Sequence, residues 1–108
     1  MIQAMNIVYL VGPHRATALK YANDRGWTRN ADLRFITPDR HDVRFVTNVN
    51  DMNAMGGTAE LMKLPDYSSE PESEWERVRW LGGQTASKGQ KQRFDEFVES
   101  GAGRWIEL

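Results

Sequence analysis

A chain of 108 residues is the size of one domain, long enough to bury a core and too short for separate catalytic and substrate domains, so residues 1–108 are expected to form a single unit. A net charge of -1 and a pI near 6.1 supply no global basic field, which argues against bulk attraction to nucleic acid or to an anionic membrane surface. The absence of cysteine removes disulfides, thiol nucleophiles and zinc–thiolate sites together.

Residues 5–11 are apolar except for Asn6 and Tyr9, the pattern of a strand covered on both faces. No basic stretch precedes this run, as a secretory signal would require, and no segment approaches the apolar length of a membrane span. The expectation is a cytoplasmic protein with no membrane partner. Gly12 and Pro13 then make a turn into a helix over 14–25, with Ala18, Leu19 and Ala22 on one face, Lys20, Asn23 and Asp24 toward water, and Gly26 as its stop. Residues 33–37 (LRFIT) and 43–47 (VRFVT) repeat an Arg-Phe-β-branched-Thr pattern. The five residues between them are too few for a helical crossover, so the two strands are expected to form an antiparallel hairpin or a sheet insertion rather than a βαβ unit.

Residues 48–57 predict one short helical turn closed by Gly56-Gly57, and 58–64 fit either a strand or a helix start. Ser69-Glu70-Pro71-Glu72 forms a capping box for a helix over 69–81 whose apolar face carries Trp75, Val78 and Leu81. A second box, Ser87-Lys88-Gly89-Gln90, opens a helix buried through Phe94, Phe97 and Val98. Residues 104–108 close the chain as a strand with Ile106 and Leu108 on one side and Trp105 on the other. This order predicts an α/β fold, a compact Rossmann-like three-layer domain with a mixed sheet of about five strands.

In such a sheet the turn after the first strand faces a crevice into which a helix N-terminus points free N–H groups and partial positive charge. Gly12, His14, Arg15 and Thr17 are therefore candidates for binding a small phosphate-bearing ligand. The turn is not a Walker A loop, because the second glycine and the Lys-Ser/Thr pair are missing. Its plain structural alternative is a Gly-Pro turn with His14 and Arg15 in solvent. His41 with Asp39 and Asp42 matches no metal-ligand spacing and suits turn chemistry, so no metal and no cofactor are expected. Glu70, Glu72, Glu74 and Glu76 suit a helix N-terminus as a solvated face; the basic run Lys88, Lys91 and Arg93, near Gln84, Gln90 and Gln92, offers a local contact for nucleic acid, but the acidic helices argue against a broad footprint. Trp80 lies off the Trp75/Val78/Leu81 stripe and beside Arg77 and Arg79, a combination typical of protein-binding hot spots or of self-association.

Leu10-Val11-Gly12-Pro13 and Gly57-Thr58-Ala59-Glu60 resemble two short motifs of the nucleoside 2-deoxyribosyltransferases. In that family a strand ending in Gly-Pro shapes the nucleoside pocket, and a Gly-Thr-x-x-Glu segment opens a helix that carries the glutamate nucleophile. The resemblance implies Glu60 as the catalytic residue, although it stands one position early and Gly56 replaces the family's aspartate. Over residues 6–67 the strand-helix opening, Gly26-Trp27 after the helix and the short elements that follow resemble small Rossmann-like accessory proteins encoded by bacteriophages. This second resemblance implies a viral origin and a non-enzymatic role in binding a host macromolecule, in the host cytoplasm. His14 and His41 lack a serine or carboxylate constellation in the sequence, which favours that role. The alternative is a small nucleotide-binding or nucleotide-processing protein using the strand-turn-helix at 6–27.

Overall fold

The computed structural model describes residues 6–52, 57–67 and 89–108. In chain order the elements are β1 (Ile7–Val11), α1 (Arg15–Asp24), β2 (Thr28–Ala31), β3 (Arg34–Ile36), β4 (Asp42–Val46), a 3-10 turn (Val49–Asp51), β5 (Ala59–Lys63), α2 (Gln90–Glu99) and β6 (Gly103–Trp105). They build one mixed sheet in the order β2-β3-β4-β1-β5-β6. The pairs β4–β1, β1–β5 and β5–β6 are parallel, whereas β2–β3 and β3–β4 are antiparallel.

The uncharged sequence IVYLV explains why β1 lies at the centre, since covering both of its faces buries no ion. Its alternation divides the core in two. Val8 and Leu10 pack with Ala18 and Ala22 of α1 and with Phe35, Val43, Met62 and Leu64. Tyr9 and Val11 point the other way, toward Phe94 of α2 and toward Val46, Ala59, Leu61 and Tyr67. Among the described residues one helix therefore covers each face, which is the expected three-layer α/β arrangement. Each large apolar side chain buried in these clusters contributes about 1.5–3 kcal/mol before entropy is counted.

Local signals explain the ends of α1. Two small residues one turn apart, Ala18 and Ala22, are fully buried and let the helix lie close on the sheet. Its C-terminus closes as a Schellman motif: Trp27 N–H donates to the Ala22 carbonyl at 3.0 Å and Gly26 N–H to that of Asn23 at 3.1 Å, with Gly26 at φ 72. Trp27 packs against the core beside Tyr21, ring centroids 5.6 Å apart.

Several elements sharpen or differ from the sequence-based expectation. The sheet has six strands because residues 28–31 (TRNA) form β2, which has no apolar side chain beyond Ala31 and is exposed at every position. Residues 59–63 are a strand, settled by parallel pairing to β1. The cap of α2 is Gly89 rather than Ser87, with no side-chain bond to the first turn. The last strand ends at Trp105, although Ile106 N–H still donates to the Leu61 carbonyl at 2.7 Å. The helix expected over 69–81 lies outside the described residues.

Gly103 marks the contact between β6 and α2, since a Cβ there would stand 2.6 Å from Phe97 Cε1 and 2.7 Å from Leu61 Cδ1. Gly103→Ala is expected to cost about 1–3 kcal/mol through overpacking. Phe94→Ala is expected to cost about 3–5 kcal/mol by leaving a cavity. Urea titration followed by circular dichroism measures both, and unchanged midpoints would contradict the packing described.

Candidate functional site

The crossovers leave β1 and β4 in opposite directions. After Val11 the chain turns through Gly12 and Pro13 to α1 on one face. After Val46 it turns to Val49–Asp51 on the other, where Val49 N–H donates to Gln90 Oε1 of α2 at 3.1 Å and Val49 and Met52 pack on the α2-side core. The carboxyl ends of β1 and β4 therefore flank a switch point, the usual ligand crevice of such sheets.

At this point Gly12 is enclosed by protein. A Cβ on it would come 2.7 Å from Leu64 Cδ1 and 3.0 Å from Asp66 Oδ1, so close packing against the end of β5 requires glycine here. Both carboxylate oxygens of Asp66 are shielded from solvent. His14 is the N-cap of α1 in extended conformation without a side-chain cap bond, and the first turn carries no acidic residue. Thr17 is half-buried in that first turn. Arg15 instead reaches the β2–β3 turn, where its Nη2 lies 2.5 Å from Asp32 Oδ1, the atom that also accepts from Arg29 at 2.8 Å. With side-chain exposures of 56% and 63% for Arg15 and Asp32, this pair contributes about 0–1 kcal/mol.

Glu60 sits on β5 rather than at the start of a helix, because the residues around it alternate between the two core clusters: Ala59 and Leu61 toward α2, Met62 toward α1. Register places Glu60 beside Arg104 of β6, and the two form an ion pair of 2.9 Å. His41 donates its backbone N–H to Thr37 Oγ1 at 3.0 Å within the β3–β4 turn, and Asp42 accepts from Arg44. Among the described residues no group of histidine, aspartate and glutamate side chains is placed to hold a metal. Arg77, Arg79 and Trp80 lie outside the described residues. No helix among the described residues is long and apolar enough to cross a membrane.

Two features escaped the sequence because each joins distant segments. One is a groove of about 580 Å³ lined by Tyr21, Arg25, Met62, Lys63, Trp105 and Ile106. Its cations already rest on its rings, Arg25 at 4.1 Å from the Tyr21 centroid and Lys63 at 4.7 Å from that of Trp105. The other is a row across the α2 side of the sheet, in which Ala31, Arg34, Arg44, Tyr9, Leu61 and Trp105 stand side by side on successive strands. Helix α2 packs on the Tyr9–Leu61 part of this row, and Arg34 and Arg44 lie beyond it. No family model, no curated protein and no solved structure matches this chain.

The geometry separates the roles of two turn residues. Gly12→Ala is expected to lower stability by about 1–3 kcal/mol. Arg15→Ala is expected to change it by about 1 kcal/mol or less. Chemical denaturation of both variants checks this, and a larger loss for Arg15→Ala would show that the ion pair with Asp32 holds the hairpin in place.

Proposed function

We propose that this chain is a non-enzymatic accessory protein, of the kind encoded by bacteriophages, that acts by binding a host macromolecule through the hairpin-extended half of its sheet. The observation that carries this reading is the extension itself. Strand β2 is exposed at all four positions and β3 supplies only Phe35 to the fully buried core, so the extension adds little to stability. It nevertheless retains backbone strain. Leu33 (φ 59) and Arg40 (φ 66), the two non-glycine residues at positive φ among those described, occupy the turns on either side of β3. Each such residue costs roughly 1–2 kcal/mol, and strain of this kind gathers where a surface has a task. Strand β2 also carries Arg29 and an irregularity between Arg29 and Ala31, features that discourage indiscriminate edge pairing while leaving side chains available.

A second reading, a small phosphate-bearing ligand at Gly12, His14, Arg15 and Thr17, is favoured by the uncapped and acid-free first turn of α1. Thermal midpoints in a panel of nucleotides distinguish the two. A ligand at one hundred times its dissociation constant adds about 2.7 kcal/mol, and a shift abolished by Arg15→Ala would move the function to the turn. Base release from deoxynucleosides that disappears in Glu60→Ala would make the protein an enzyme.

The direct test uses immobilised protein and a bacterial lysate. Wild type is expected to retain a discrete macromolecule that a folded variant with Arg29→Glu and Asn30→Glu on β2 releases. Retention of the same species by both proteins, or of none by wild type, would reject the hairpin as the docking element.

A further inference from the structure

We infer that the open face of the hairpin half binds an acidic segment of a protein partner, with Arg34 and Arg44 taking its carboxylates and Ile7 and Ile36 meeting its apolar neighbours. This inference rests on the binding-protein reading above and names the chemistry of the partner.

The argument begins with register. Phe45 N–H donates to the Leu33 carbonyl at 2.9 Å and Thr37 N–H to that of His41 at 3.1 Å, which makes Leu33/Phe45 and Thr37/His41 hydrogen-bonded positions of the β3–β4 ladder. Hydrogen-bonded and non-hydrogen-bonded pairs alternate, so Arg34 and Arg44 form a non-hydrogen-bonded pair, the closest cross-strand approach that an antiparallel sheet offers. Two like charges in that position repel. Asp42 relieves one of them, accepting from Arg44 Nη2 at 3.0 Å and from its Nε at 3.3 Å. Arg34 is exposed, and no carboxylate among the described residues pairs with it. The arginine row and the row beside it, which carries Asp42, thus hold two guanidinium groups and one carboxylate on β1, β3 and β4, an excess of one positive charge.

A guanidinium presents a planar fork that matches a carboxylate with two parallel hydrogen bonds. The next row on the same face consists of Ile7, Asp42 and Ile36, and Ile7 is 37% exposed. A cation beside one exposed aliphatic side chain, Ile7, and one half-buried one, Ile36, is the composition of a protein-binding patch. Nucleic acid fits less well. The outward positions of β1, β3 and β4 on this face offer no exposed ring on which a base could stack, Tyr9 being buried.

The test follows the thermal midpoint and binding by anisotropy with labelled poly-L-glutamate, using single-stranded oligothymidylate of equal charge as the competing probe. Wild type is expected to bind poly-L-glutamate in preference, and Arg34→Thr to weaken that binding by about tenfold while keeping the wild-type midpoint. Arg34→Lys keeps the charge without the fork and is expected to fall between them. Equal binding by wild type and Arg34→Thr, or preference for oligothymidylate, would overturn the inference. A drop in the midpoint of Arg34→Thr would also overturn it, by showing that the residue serves the fold. The lysate experiment separates this failure from the broader one. A partner retained equally by wild type and Arg34→Thr removes the acidic segment and leaves the binding protein, whereas no retained partner removes both.

Discussion

The structure depends on one strand being covered from both sides. Val8 and Leu10 of β1 must be buried against one layer and Tyr9 and Val11 against another, because the strand has no charged side to offer to water. Both neighbours, β4 and β5, run parallel to it. Parallel neighbours cannot be joined by a tight turn, so each return needs a crossover, and a crossover that carries a helix covers a face: α1 lies between β1 and β4 in the chain and α2 between β5 and β6. Helix α1 meets the first demand through Ala18 and Ala22, and α2 meets the second through Phe94. The switch point between β1 and β4 follows from the same demand, since crossovers to opposite faces must diverge where those strands end.

What packs well in this molecule is not where its chemistry stands open. The turn after β1 sits at the position that α/β proteins use for ligands, yet Gly12 is enclosed by Leu64 and the buried Asp66 carboxylate, and Arg15 is engaged with Asp32. Beyond β5 the chain is fastened to α2, with the Tyr67 hydroxyl donating to the Asp95 carboxylate and to the Lys91 carbonyl and its ring edge-on to Trp105 at 5.2 Å. The centre of the parallel half, β1 with β5, is thus covered on both sides. The antiparallel half has exposed positions on β2 and β3 and an ion pair of two half-buried groups on β4.

The elements that were legible in the sequence are those whose burial leaves a period. Strand β1 shows as a continuous apolar run, α1 as small residues one turn apart ending at Gly26, and β3 and β4 as a repeated alternation with a short turn. Strand β2 left no such trace, because pairing with β3 through its backbone is all that makes it a strand. Residues 58–64 stayed open between strand and helix for a related reason: buried alternately by two layers, they have apolar side chains on both sides and no single face to reveal. For the site, the position of Gly12, His14, Arg15 and Thr17 was readable, but not the Leu64 and Asp66 contacts that fill the space beside Gly12. Those contacts come from more than fifty residues away, and sequence spacing does not encode them.

The arginine row shows the same limit from the opposite direction. The Arg-Phe repeat at Arg34-Phe35 and Arg44-Phe45 is visible in the sequence, but either of two registers would give it a different meaning. Burial of Phe35 and Val43 on the α1 side settles the matter, since a slip by one residue would turn one strand's apolar set toward the opposite face. Once Phe35 opposes Val43, Arg34 must oppose Arg44 on the other side. The fold dictates that these positions face outward together, but it does not dictate arginine. Threonine would suit the same strands better and would avoid the repulsion. Two arginines thus stand where neither the core nor the ladder needs them, Arg44 matched by Asp42 and Arg34 by no carboxylate among the described residues, so the fold by itself gives no reason for the charge that this face carries.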